Sequence, residues 1–191
     1  MERLIILGLG ETVKQYEPKP NDVTFGVNDV FKYHAVQNLV CVNTVSCFSK
    51  ERQNVIFSST PDKFYTIKFN TMQWENKNVK LSRWKEDYNS IEYINYTGLS
   101  KGTNGIKYNA DIEKDIIYSS RSSPFMAVQI AIKANPEIKN VYLYGVDFST
   151  HKVINGRRLD LELICWKWLL KEYRKKGYIF HIPKQSKLSE I

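Results

Sequence analysis

Residues Asp115–Phe148 read DIIYSSRSSPFMAVQIAIKANPEIKNVYLYGVDF. The order is strand, turn, helix, strand. Asp115–Tyr118 is a short apolar run followed by small polar residues. Ser123 suits the N-cap of a helix, and Pro124 suits the first helical position, where a missing N–H costs nothing. The Asn135-Pro136 pair stops the helix near Ala134. Phe125, Met126, Val128, Ile130, Ala131 and Ile132 cover most of its circumference. Only Gln129 and Lys133 mark a polar stripe, so the helix is expected to be largely buried. Val141–Val146 is a nearly unbroken apolar run, the pattern of a parallel strand covered on both faces. The segment predicts a βαβ unit with a right-handed crossover.

Worked outward, the pattern predicts an α/β chain: a Rossmann-like three-layer α/β/α fold with a mostly parallel sheet, as one domain over residues 1–191. In such a sheet, ligands bind beyond the carboxyl ends of the strands. That edge holds Ser119–Ser123 after one strand and Asp147 after the next. The helix N-terminus there offers free N–H groups and a partial positive charge, which suits a phosphate. Capping of the helix by Ser123 and of a loop by Asp147 is the competing reading.

The chain begins with a buried strand, Arg3–Leu7, and the turn Gly8-Leu9-Gly10-Glu11-Thr12. Glycine in such a turn lets a backbone or a ligand come close. The third glycine of a dinucleotide fingerprint would fall at Val13, so an NAD site is not expected. Val23–Val27 is a second strand, ended by Asn28-Asp29, with Asp29 as the cap of a short helix over Val30–Ala35. Leu39–Val42 is a third strand, ended by Asn43-Thr44. Gly8 and Gly10, Asn28 and Asn43 thus repeat small or polar groups at one sheet edge. Lys63–Phe69 alternates as a more exposed strand. Asn70–Tyr96 mixes Trp74, Trp84, Tyr88, Tyr93 and Tyr96 with charges, fit either to stack bases or to fold onto the core. Thr97–Gly105 reads as a loop without a Walker A pattern. Ser149–Arg158 reads as a loop near the same edge, carrying His151, Arg157 and Arg158. His151 titrates near neutrality and is a candidate acid or base, as is Asp147. The two arginines are candidates to hold phosphate. Leu159–Lys176 is a helix with Leu159, Leu163, Trp166, Leu170 and Tyr173 on one face, basic residues in its last turn and Gly177 as its cap. Tyr178–Ile182 is a last strand.

The bulk properties narrow the class. The chain has 191 residues, 42% of them hydrophobic, and a formal net charge of +8. It is long enough for a core and basic enough to favour polyanionic partners: nucleic acid, a membrane surface or a phosphorylated small molecule. No apolar run approaches the roughly 20 residues of a membrane span. The opening MERLIILGLGE reads as a strand, not a signal peptide. The three cysteines, Cys41, Cys47 and Cys165, are scattered. They give no disulfide framework or zinc site, and a cytoplasmic setting is expected.

GLGETV after the first strand, DVTFGVND around the second, VCVNT at the third, SSPFMAVQIAI with VYLYGVDF, and the closing IPKQSKLSEI occur in an order that resembles one superfamily. It contains the bacterial family-42 sialyltransferases and the related domain of archaeal 6-hydroxymethylpterin pyrophosphokinases. The resemblance covers about half of the chain, in short patches. It implies a nucleotide at the strand ends: a CMP-linked sugar used without metal in the first branch, ATP with magnesium in the second. By position, Gly8 and Gly10 match the glycine turn, and Asn28 and Asn43 match asparagines of the donor pocket. Ser122 matches the serine ahead of the central helix, and Asp147 the strand-end aspartate. Leu9, Glu11 and Thr12 stand where the family commonly has Asn, Pro and Ser, which removes a polar donor contact. Only the ten residues 149–158 separate Phe148 from the next helix, too few for the family's lid, and His151 sits too early for its base.

The expected function is therefore a small cytoplasmic transferase, glycosyltransferase-like, with a nucleotide or nucleotide-sugar donor. Its site would draw on Gly8, Gly10, Asn28, Asn43, Ser122, Ser123, Arg157 and Arg158, with Asp147 or His151 for proton transfer. No metal ligands are expected, and magnesium enters only on the pyrophosphokinase reading. Two alternatives stand beside it: a non-enzymatic basic binder of nucleic acid, and a regulatory protein that sequesters a nucleotide.

Overall fold

The computed structural model describes residues 2–43, 45–66, 91–93, 96–98, 117–120, 122–149 and 156–191. Seven strands form one parallel sheet: β1 (Arg3–Leu7), β2 (Asp22–Val27), β3 (Asn38–Val40), β4 (Lys63–Thr66), β5 (Ile91–Tyr93), β8 (Asn140–Tyr144) and β9 (Ile179–His181). Their spatial order is β5-β4-β3-β2-β1-β8-β9. The chain builds outward from β1 in one direction, then returns to place β8 on its other side. The Rossmann-like α/β class read from the sequence is the class observed.

Alternation along β1 divides the core. Leu4 and Ile6 face α2 (Ser123–Ala134) and α3 (Arg157–Lys175), where Phe125, Trp166, Leu170 and Tyr173 are buried. Ile5 and Leu7 face the opposite side, with Val13, Val30, Leu39, Phe48 and Ile56. Helix α1 (Lys50–Ser58) and three 3-10 turns (Glu11–Gln15, Val30–Lys32 and Val45–Cys47) lie on or beside that second layer. Leu4 to Leu7 are buried on both faces of the sheet, which is why LIIL reads as an unbroken apolar run, with the charge of Arg3 kept to the strand's amino end.

Several expectations need correction. The strand ahead of α2 is β7 (Ile117–Ser119), and it pairs with β6 (Tyr96–Gly98) in a separate two-stranded sheet. The expected βαβ unit within one sheet is therefore not formed, and its crossover rule does not apply. Gln129 of α2 is the physical reason. Far from marking a solvent stripe, it is buried; its Nε2 donates to the Tyr118 carbonyl at 2.8 Å and its Oε1 accepts from the Tyr118 N–H at 2.8 Å. A side chain occupies the place of a neighbouring strand. The N-cap position of α2 is Ser122, one residue earlier than expected. Helix α3 starts at Arg157, so Arg157 and Arg158 lie in its first turn and not in a loop. The short helix after Asp29 is only the 3-10 turn Val30–Lys32, and strands three and nine are shorter than their apolar runs. Of Lys63–Phe69, residues 67–69 lie outside the described residues, as do most of 70–116 and residues 150–155 with His151.

Helix α3 ends as its sequence indicates. The Gly177 N–H donates to Arg174 O at 3.0 Å and the Tyr178 N–H to Tyr173 O at 3.2 Å. Gly177 sits at φ +82, the conformation this closing turn requires. The Tyr173 and Tyr178 rings meet edge to face at 5.5 Å. Among the described residues, no helix is long and apolar enough to cross a membrane.

At the amino edge of the sheet, Asp22 is buried beside Arg3. Arg3 Nε and Nη2 donate to its two oxygens at 2.7 and 2.6 Å, the Tyr16 hydroxyl at 3.0 Å and the Lys19 N–H at 2.9 Å. Burial alone would raise the Asp22 carboxyl, but these donors hold it below the usual carboxylate value. The stability it supplies is complete above about pH 4, the unfolded value, and is lost as pH falls through the lower folded value. Arg3→Met leaves that carboxylate unpaired and is expected to cost about 3 kcal/mol in urea unfolding at pH 7. In Asp22→Asn, the acid limb of the stability–pH curve should flatten.

Candidate functional site

The turns after β1 and β8 stand side by side at the carboxyl edge. The Gly8 N–H donates to Tyr144 O at 2.7 Å, and the Gly10 N–H to Gly145 O at 2.8 Å. Thr12 then crosses between them. Its N–H donates to Asp147 Oδ2 at 2.8 Å, its hydroxyl donates to Asp147 Oδ1, and the same hydroxyl accepts from the Gly145 N–H at 2.7 Å. A Cβ on Gly8 would lie 2.2 Å from Gly145 O, and one on Gly10 would lie 2.4 Å from Asp147 Oδ2. The close approach these glycines permit is thus made by the protein's own turn. Asp147, a candidate acid or base, has both oxygens engaged by Thr12 and is 4% exposed.

The loop after β8 is fixed from a second side. Ser186 Oγ donates to Val146 O at 2.7 Å, and the Lys187 N–H to Asp147 O at 2.9 Å. Leu188 is fully buried in the core behind them. Phe148 is held at φ +57, strained for a side chain of its size, and packs near Trp166 with ring centres 6.3 Å apart.

One strand over, Asn28 follows β2 at φ +53 and is 7% exposed. Its N–H donates to Val40 O at 3.1 Å, which ties the turn to β3. Its side-chain amide points to Ser123 Oγ at 3.5 Å, and its Oδ1 accepts from Cys41 Sγ at 3.8 Å. Burial pushes the Cys41 thiol up, so it stays protonated and acts as the donor. Asn28 and Ser123, far apart in sequence, are therefore brought together at the N-terminus of α2. Asn43 lies past the end of β3 and is exposed. Arg158 is exposed in the first turn of α3; His151 and the Arg157 side chain lie outside the described residues.

Ser122 behaves differently from expectation. It occupies the N-cap position but makes no side-chain cap to the helix. Its hydroxyl donates instead to Glu162 Oε1, which also accepts from Ser120 Oγ at 2.7 Å and Trp166 Nε1 at 3.0 Å. Glu162 is 1% exposed. Sequence reading passed over it, although a carboxylate four residues before Trp166 on the apolar stripe of α3 was a visible sign of a buried polar network. Thr12 was also missed: it retains the hydroxyl of the serine it stands for in the resemblance.

Beside Asn28, Asp29 is 1% exposed. Arg52 Nε and Nη2 donate to its Oδ1 at 2.9 and 2.6 Å, and the Lys32 ammonium lies 3.1 Å from Oδ2. Burial opposes its ionisation, yet these cations hold its carboxyl below the usual range. Among the described residues, buried Thr66 Oγ1, at the carboxyl end of β4, has no hydrogen-bond partner. Among the described residues, no three His, Cys, Asp or Glu side chains group to hold a metal ion.

Thr12→Val removes the hydroxyl bond to Asp147 and the acceptor of the Gly145 N–H while keeping side-chain volume. It should cost about 2–4 kcal/mol in urea unfolding, as two buried hydrogen-bonding groups lose their partner. Gly10→Ala should destabilise by at least about 1–3 kcal/mol through overpacking. Wild-type stability in both variants would remove the clamp from the account.

No family model matches the chain, and no curated protein matches it. Two solved structures of one enzyme are similar. One is the sialyltransferase CstII from Campylobacter jejuni in complex with a substrate analogue, CMP-3FNeuAc: TM-score 0.51, 13% identity, covering 100% of this chain and 84% of that one. The other is a mutant of the alpha-2,3/8-sialyltransferase CstII, with TM-score 0.49, 13% identity and coverage of 99% and 84%. The chain has a sialyltransferase-like α/β fold.

Proposed function

We propose that the chain is a glycosyltransferase-like transferase that binds a nucleotide or nucleotide-sugar donor at the carboxyl edge of its sheet. The observation that carries this reading is the meeting of Asn28 with Ser123 at a helix N-terminus that Ser122 leaves uncapped. The crevice between β1 and β8, where an open sheet usually takes its ligand, is filled here by Thr12, Gly145 and Asp147. In this reading the donor lies one strand over, between the ends of β1 and β2 and the first turn of α2. Phosphate there meets the N–H groups of α2 and the positive end of its dipole. Asn28 supplies an amide that can turn from Ser123 to a donor oxygen.

Three further features support the reading. Arg157 and Arg158 sit at the positive end of the α3 dipole, where a cation is disfavoured by about 0.3–1 kcal/mol. Helix stability does not favour Arg158 there, and an anionic ligand would. Thr66 Oγ1 retains unused hydrogen-bonding capacity two strands from Asn28, about 10 Å away by strand spacing, a span suited to the length of a sugar nucleotide. The fold likeness is to a protein determined with a CMP-sugar analogue. In this reading Asp147 positions the two turns, and proton transfer falls to His151 or to the acceptor's own surroundings.

The test is a thermal-shift panel of CMP, UDP, GDP, ADP and ATP, each with and without magnesium. A ligand at 100 times its Kd adds about 2.7 kcal/mol, a shift of several degrees. CMP without metal is the expected response, and ATP with magnesium would move the assignment to the pyrophosphokinase branch. Asn28→Gly keeps the left-handed backbone while deleting the amide, and should weaken CMP about tenfold, the equivalent of one hydrogen bond of about 1.4 kcal/mol. If no nucleotide shifts the protein, the donor reading falls. Retention on DNA or RNA that drops steeply with salt would then establish the basic binder.

A further inference from the structure

We propose that Glu162 is a positioning residue for the donor site: it withholds the Ser122 hydroxyl from the first turn of α2 and so keeps that turn open to phosphate. The inference rests on the donor reading above and deepens it.

The backbone of Ser122, at φ −120 and ψ 135, is already that of an N-cap residue. A serine so placed accepts from the N–H two or three positions on. Two positions on is Pro124, which has no N–H. The natural target is the N–H of Phe125. The Ser122 hydroxyl turns away from it and donates to Glu162 Oε1. The Ser122 N–H is also taken, donating to Ser120 Oγ at 3.2 Å. Ser120 Oγ in turn donates to the same carboxylate oxygen at 2.7 Å. Both serines of the segment entering α2 are thus fastened to α3 through one buried oxygen, whose third donor is Trp166 Nε1 at 3.0 Å.

Burying a carboxylate costs several kcal/mol unless donors surround it. A leucine facing Trp166 would serve packing equally well. Besides accepting from Ser120 Oγ and Trp166 Nε1, the carboxylate does what leucine cannot: it competes for the Ser122 hydroxyl. Without that competitor the hydroxyl rotates onto the Phe125 N–H, and the cap that forms occupies the group a phosphate would use. Asn28, buried and turned toward Ser123, remains beside a first turn that the protein's own serine leaves open.

The experiment compares wild type, Glu162→Leu, Glu162→Gln and the double variant Glu162→Leu/Ser122→Ala. Two readouts are used: calorimetric titration with CMP and with inorganic pyrophosphate, and hydrogen exchange of the Phe125 amide by NMR. Glu162→Leu should slow Phe125 exchange and weaken both probes about five- to tenfold, the equivalent of one side-chain cap. Adding Ser122→Ala should return both readouts to wild type, since no hydroxyl remains to form the cap. A purely structural role for Glu162 predicts no such rescue, and absence of rescue overturns the proposal. Glu162→Gln keeps an acceptor oxygen and should bind both probes within about twofold of wild type. A fivefold loss there, with the fold intact, also overturns it, and this arm decides if the leucine variant does not fold. If wild type binds neither probe, the donor reading fails. Phe125 exchange then still decides whether Glu162 controls the cap.

Discussion

The contact of Thr12 with Asp147 is the constraint on which the rest of the molecule depends. It joins residues 135 positions apart and closes the sheet at the point where strand order reverses. β1 is an interior strand, and its two neighbours, β2 and β8, lie far apart in the chain. Backbone pairing aligns them, but the turns beyond the strands still need fixing. One threonine does so with both its N–H and its hydroxyl. Because Asp147 is buried and accepts two bonds from Thr12, its charge is spent on architecture. Ser186 and Lys187 then hold the same loop from behind, and the strained Phe148 directly follows the residue that both sides pin.

A division of labour follows across the carboxyl edge. The crevice at β1 and β8 is filled and rigid. The adjacent edge, at the ends of β2 to β4, brings together Asn28, Asp29, the first turn of α2 and Thr66, whose Oγ1 has no hydrogen-bond partner among the described residues. Two buried carboxylates flank this region in different ways. Asp29 is matched by the cations of Arg52 and Lys32, and it braces the turn after β2 against α1. Glu162 accepts from the Ser120 and Ser122 hydroxyls and from Trp166 Nε1, and it braces the segment before α2 against α3. The edge is thus set between two supports that belong to opposite layers of the fold.

The sheet was legible because burial on both faces leaves an apolar run that few other structures produce. β1 matched its run residue for residue, and α3 was announced by its spaced apolar face, its basic last turn and Gly177. The partner of β7 was not legible. Nothing local shows that Gln129 would reach back to the Tyr118 backbone, and a glutamine on an apolar helix reads as its solvent stripe. Helix α1 gave no signal because Ile56 is its one buried side chain, too few to set a period. At the edge, Asn28 and Ser123 could be nominated from their positions after a strand and before a helix. Ser122 could be nominated in the same way, but the direction of its hydroxyl depends on Glu162, forty residues away. The role of Asp147 depended likewise on Thr12. Local sequence places polar groups at an edge, whereas their partners are chosen by the fold.

The topology also has a consequence for the order in which the chain takes shape. β1 finds β2 fifteen residues after it ends, through a local connection, but its other flank stays open until β8 is made, more than 130 residues after β1. During synthesis at about 5–20 residues per second, β1 presents a bare hydrogen-bonding edge lined by Leu4 to Leu7 for many seconds. Such an edge is a template for pairing with any other strand. The half-sheet of β1 to β4 is thus the species that chaperones would meet, and the arrival of Asp147 at Thr12 ends that exposure.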